Sequence, residues 1–97
     1  MQTYVVLMTV GEKGARSIKK APERVEINAQ ALKKAGGRLV SIYATMGMYD
    51  YVAIMEAPND EVMMKHILEV SSTSAIKCMT LKAFTQEEFA NLLKSMP

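Results

Sequence analysis

Along this chain the hydrophobic pattern switches repeatedly between a strand period and a helix period, and the order of the switches restricts the fold more than any other feature. Residues 3–10, TYVVLMTV, are apolar and β-branched with no helix breaker, which reads as a buried central strand. Gly11 and Gly14 mark a loop, and Arg16 to Lys20 suit a short turn of helix. Pro22 fits the first turn of a longer helix, where a missing N–H costs nothing. Val25, Ala29 and Leu32 recur at i, i+4 and i+7, an apolar stripe that stops at Gly36 and Gly37. RLVSIYAT (38–45) alternates, with Val40, Ile42 and Ala44 on one face and Leu39, Ser41, Tyr43 and Thr45 on the other. Beyond a Gly47-Met48-Tyr49-Asp50 corner, YDYVAIMEA (49–57) is a third strand. Pro58 and Asn59-Asp60 supply its stop and the cap of a helix whose stripe is Met63, Ile67 and Val70. SSTS (71–74) is a polar break, IKCMTLKAF (76–84) a fourth strand, and Thr85 with Glu88 a capping box. The last helix carries Phe89, Leu92 and Leu93.

Strand, helix, strand, strand, helix, strand, helix is a split βαβ unit duplicated, with one helix added. The expected fold is α+β: a ferredoxin-like βαββαβ domain over residues 1–97, with a four-stranded antiparallel sheet and an extra C-terminal helix. Two helices cover one face of such a sheet and leave the other bare. A bare face containing Tyr and Met would be a large apolar patch, so a second copy is expected to pack sheet against sheet into a dimeric α/β barrel. Ser41, Tyr43, Thr45 and Thr80 would place hydroxyls in the enclosed space, a composition suited to a small-molecule pocket. Which parity of the first, third and fourth strands points inward is open, because both of their faces are largely apolar.

Composition narrows the function classes. The net charge of +2 is too small for a nucleic-acid binder read from the total. The charge is nevertheless uneven: Lys13 to Arg38 holds eight basic residues against Glu23 and Glu26, a local balance of +6, and the remainder carries −4. That polarity could orient an anionic ligand or an acidic partner, though a charge run is more often simply a solvated helix face. No apolar run approaches a bilayer span and no signal peptide is evident, so a cytoplasmic protein without membrane contact is expected. Cys78 is the single cysteine, which reads as a small buried hydrophobe, and His66 is the single histidine, at the edge of a packed stripe. No metal-ligand spacing, phosphate-cradling glycine loop or nucleophile elbow is present, so neither metal nor cofactor is expected.

Gly47-x-Tyr49-Asp50, the alternating strand after it and Glu56-Ala57-Pro58-x-Asp60-Glu61 resemble the GYD-domain family, small bacterial proteins of ferredoxin-like fold. Gly14, Pro22, Arg24, Tyr43, the TLKAF of residues 80–84 and Glu87-Glu88-Phe89 extend the resemblance over nearly the whole chain. Members of that family often carry a glycine before the final strand, where this chain has Ser72-Thr73-Ser74-Ala75. A similar corner occurs in the ligand-sensing domain of feast/famine regulators, whose DNA-binding segment lies outside the shared pattern.

Two function classes follow. In the first, the domain is a homodimer, or a higher homo-oligomer, that binds a small molecule or serves as an assembly or regulatory module. Tyr43, Tyr49, Asp50, Arg24 and Thr45 are then the candidate ligand contacts, gathered around one barrel mouth. In the second it is a cofactor-independent enzyme working by proton transfer or oxygen chemistry, with Tyr49, Asp50 and Tyr43 as acid–base groups. The corner also has a purely structural reading: Gly47 takes a positive φ in the turn and Asp50 accepts backbone N–H groups.

Overall fold

The computed structural model describes residues 1–97. β1 (Gln2–Val10) leads through α1 (Glu12–Arg16) and a single 3-10 turn (Ile18–Lys20) into α2 (Ala21–Lys34). There follow β2 (Arg38–Ala44), β3 (Tyr51–Ala57), α3 (Asp60–Thr73), β4 (Ile76–Ala83) and α4 (Gln86–Lys94). The sheet is antiparallel throughout, in the order β2-β3-β1-β4. This is the expected βαββαβ arrangement with one helix appended. No helix is long and apolar enough to cross a membrane.

Local chemistry sets the element ends. Pro22 occupies the first turn of α2, and its last turn closes with Gly36 N–H on Lys33 O and Gly37 N–H on Leu32 O. Gly36, at φ +93°, adopts the left-handed conformation those two bonds require. Asn59 accepts from Val62 N–H at 2.9 Å to cap α3, and Thr85 with Glu88 forms the full capping box of α4. The polar break expected at 71–74 is instead the end of α3, which continues to Thr73. Ser72 Oγ and Thr73 Oγ1 both donate to Glu69 O, so these hydroxyls bond back along the helix rather than breaking it.

The core lies between the sheet and helices α2 and α3. Tyr4, Val6 and Met8 of β1 point into it with Ala53 and Met55 of β3, closed over by Leu32 and Met63. The intervening residues of β1 face the other way, and their register pairs Val5 with Ile54 and Leu81, and Leu7 with Val52 and Met79. Two expectations about side-chain direction are corrected. The β2–β3 register shifts between Leu39 and Ser41, a bulge at Val40 that sets Leu39 and Ile42 on the same, helix-covered side. Val40 is thereby exposed, and the regular alternation across 38–45 does not hold. Thr80 lies opposite buried Val6, so it belongs to the helix side and not to the bare face.

Nothing within the chain covers that bare face. α4 buries none of its residues; Phe89, Leu92 and Leu93 stand about half-exposed along it, as does Phe84 just before it. The molecule is correspondingly long, 53 × 31 × 17 Å.

Candidate functional site

The corner between β2 and β3 is a closed hydrogen-bonded device. Thr45 N–H donates to Asp50 O at 2.8 Å, and Thr45 Oγ1 donates to Tyr49 O at 2.6 Å. Gly47 takes φ +109° at the tip with open space around it, so its role there is backbone freedom. Asp50 then joins the corner to the end of β1: its N–H donates to Met8 O at 2.8 Å, and its Oδ2 accepts from Val10 N–H at 2.8 Å. The carboxylate satisfies a backbone donor where the β1–β3 ladder runs out.

Tyr43 and Tyr49 lie on the bare face. Tyr43 is opposite Val52 and is 63% exposed. The Tyr49 hydroxyl reaches Met79 Sδ at 3.8 Å, a weak acceptor, and its ring overlies a shallow cleft with Leu7, Thr9 and Lys77. Around these two rings the face presents Val5, Leu7, Ile54, Met79 and Leu81.

Arg24 is elsewhere. It projects from α2 on the helix-covered side, where Nη1 donates to Ser17 Oγ at 3.1 Å and Nη2 to Gly14 O at 3.5 Å. Its Nε is buried without an acceptor, and no carboxylate pairs with it. The five residues singled out in the sequence thus divide into three places: Thr45 and Asp50 within the corner, Tyr43 and Tyr49 on the bare face, and Arg24 beneath α2. Asn28, one turn after Arg24 on the same flank, donates to Ser74 Oγ at 3.3 Å and so ties α2 to the end of α3.

A second polar cluster had no sequence signal, because it joins residues 56 positions apart. Tyr4 donates its hydroxyl to Asp60, which also pairs with Lys82 Nζ at 3.1 Å. Burial, and then the bond to Asp60, raise the Tyr4 phenol to about 12, while the same bond and Lys82 hold the Asp60 carboxyl below its ordinary value. Burial also pushes the His66 imidazole down and the Cys78 thiol up, so both are neutral at pH 7.

The fold is shared with known structures. A feast or famine regulatory protein of M. tuberculosis complexed with L-methionine superposes with TM-score 0.67 at 15% identity, over 89% of this chain and 52% of that one. A crystallised protein of Thermus thermophilus gives TM-score 0.56 at 22% identity, over 87% of this chain and 94% of the other. The chain therefore spans about half the length of the regulators it matches, and at these identities the likeness is one of fold. At the level of sequence, the glutamine synthetase and cystathionine beta-lyase binding protein of Thermus thermophilus is 35% identical over 97% of this chain and the whole of that relative. The model of the GYD domain matches residues 4–93, and the chain belongs to the GYD domain family.

Proposed function

We propose that the protein is a self-associating binding module that docks onto metabolic enzymes and regulates or assembles them. The observation that carries this reading is the pair of uncovered apolar surfaces, the bare sheet face and the inner side of α4. A face bearing Val5, Leu7, Ile54, Met79 and Leu81 costs free energy when wetted, about 25 cal/mol per Å² of apolar surface. A second copy, sheet facing sheet, removes that cost for both chains at once and forms a dimeric α/β barrel. α4 then has an apolar surface within reach on the partner. Tyr43 and Tyr49 border the enclosed space, where their hydroxyls would orient a small ligand while Thr45 and Asp50 hold the corner's shape. Docking onto enzymes is supported by the relative named for binding glutamine synthetase and cystathionine beta-lyase.

The test has two stages. Sedimentation velocity at micromolar concentration should give a dimer, and Ile54→Asp, which places a charge in the centre of the bare face, should give a folded monomer. Biolayer interferometry against purified glutamine synthetase and cystathionine beta-lyase of the same host then measures docking. A wild-type protein that sediments only as monomer overturns the barrel. Absence of binding to both enzymes overturns the docking role.

A further inference from the structure

Of the four α-helices, only α4 buries none of its residues. Its stripe, Phe89, Leu92, Leu93 and Met96, recurs at i, i+3, i+4 and i+7, and each of these side chains stands about half-exposed or more. The bare face carries a receptor of matching character, a cleft of about 310 Å³ beside the corner, with Leu7, Thr9, Tyr49, Lys77 and Met79 in its walls. We propose that α4 is an arm exchanged between two copies: Phe89 of each chain seats in the cleft beside Tyr49 of the other and closes the mouth of that chain's site. The inference rests on the face-to-face dimer proposed above, and adds to it the residue that each copy lends to the other's site.

Three observations carry it. The first is that α4 is formed without support from its own chain. Its nine residues fall short of the roughly 12–15 at which a helix persists alone in water, and the capping box fixes only the first turn. Another surface must cover the stripe for the helix to hold. The second is reach and area. The radius of gyration is 14.6 Å, against about 12.5 Å for a compact domain of this length, and every residue from Phe84 onward is exposed, so α4 projects beyond the sheet. Phe84, Phe89, Leu92, Leu93 and Met96 leave on the order of 500 Å² of apolar surface in water. Two arms and the surfaces they cover then bury roughly 2,000 Å², the scale of a stable interface. The third is charge. α4 opens on Glu87 and Glu88, and the cleft holds Lys77, which has no ion pair in the chain, whereas Arg38 at the other end of the bare face is paired with Glu56 at 3.0 Å. The acidic turn is therefore drawn to the corner end of a second copy.

The topology permits the crossing. β4 runs from Ile76, opposite Val10, to Ala83, opposite Thr3, so α4 leaves the sheet at the end remote from the corner that Asp50 ties to Val10. A two-fold axis that runs the two sheets antiparallel brings that end of one copy over the corner of the other, with Phe84-Thr85 as the hinge from which each arm crosses. In the cleft the Phe89 ring meets Tyr49 and Met79, an aromatic–aromatic and an aromatic–sulfur contact. The Tyr49 hydroxyl, held only by the weak acceptor Met79 Sδ at 3.8 Å, stays at the rim to meet a ligand. Each site is then incomplete in a single chain: one wall is Tyr43 and Tyr49 of its own sheet, and the other is the arm that the second copy lends.

The experiment mixes ¹³C-labelled and unlabelled copies of the full chain in equal amounts and reads isotope-filtered NOEs, which pass only between copies. The Phe89 ring should show contacts to the Met79 and Leu7 methyl groups of the other copy. Phe89→Ala removes nothing packed within the chain, so circular dichroism should show the domain intact. It should nevertheless weaken the dimer at least about tenfold in sedimentation, because two such contacts are lost per dimer. Lys77→Glu sets a carboxylate against the acidic turn and should weaken the dimer as well. A monomeric wild type overturns the face-to-face dimer and the exchange together. A dimer whose affinity is unchanged in Phe89→Ala, with no NOE from Phe89 to the other copy, overturns the exchange and leaves the dimer standing. NOEs from Phe89 confined to its own chain give α4 a seat in cis, and a Phe89→Ala protein that dimerises normally but no longer binds glutamine synthetase gives the arm to the enzyme; either result overturns the exchange.

Discussion

Asp50→Ala separates a structural corner from a catalytic one. The wild-type carboxylate accepts the half-buried Val10 N–H at 2.8 Å, the last tie between β1 and the hairpin. A hydrogen bond to a charged acceptor contributes about 1.5–3 kcal/mol, and the alanine variant also leaves Val10 N–H short of a partner. A loss of about 2 kcal/mol is therefore expected for Asp50→Ala. Asp50→Asn keeps an acceptor oxygen and should cost only about 1 kcal/mol, the difference between a charged and a neutral bond. Urea unfolding at pH 7 measures both, at one fixed protein concentration because self-association adds to apparent stability. In a domain of this size about 1 kcal/mol moves the melting temperature by about 4–8 °C, so heat gives an independent reading. An Asp50→Ala protein within about 0.5 kcal/mol of wild type would refute the reasoning, since that is the ordinary range for an uninvolved surface site. The carboxylate would then be spare, and the acid–base reading of Tyr49 and Asp50 would gain what the structural one lost.

Ala75 sits at φ +53°, the one non-glycine residue with positive φ, so Ala75→Gly should raise stability by up to about 1 kcal/mol in the same urea assay, relieving the left-handed penalty against the entropy glycine adds to the unfolded chain. Tyr4 has its folded pKa raised from 10.0 to about 12, so the stability from its neutral phenol is complete below pH 10 and lost between there and about pH 12. The alkaline unfolding midpoint of Tyr4→Phe should lack that component. His66 is depressed below 6.5 by burial, so its contribution is present above pH 6.5 and lost as pH falls below it; His66→Gln should flatten the stability profile on that side.

What the sequence makes legible is what is satisfied within a few residues. The Thr85–Glu88 box, the Asn59 cap, Pro22 and the Gly36 turn each complete their bonds inside one turn of chain, and all four end their elements as the pattern indicates. The Val40 bulge is different in kind. It exists because β2 must place both Leu39 and Ile42 against the helices while paired to β3, and a partner strand is not visible in the alternation of one strand. Thr80 fails for the same reason, its direction being set by Val6 across the ladder. The glycine expected before the final strand by family resemblance has its physical counterpart in the left-handed Ala75, two residues beyond the hydroxyls that prolong α3.

Arg24 shows how a correct fold can still misplace a site. It stands on the first long helix, as the pattern indicates, yet grouping it with Tyr43, Tyr49 and Asp50 puts residues from both sides of the sheet at one mouth. A helix packed on one face of a sheet cannot deliver a side chain to the other face, and the bonds to Gly14 and Ser17 hold Arg24 where α2 lies. That separation gives the two faces different tasks. In the face-to-face dimer proposed above, the bare sheet is consumed by the second copy, while Lys19, Lys20, Lys33 and Lys34 remain exposed on the α2 side. A partner enzyme would then meet a basic, helical surface whose attraction weakens with salt. Hydrophobic burial would fix the assembly, and charge would choose what the assembly touches.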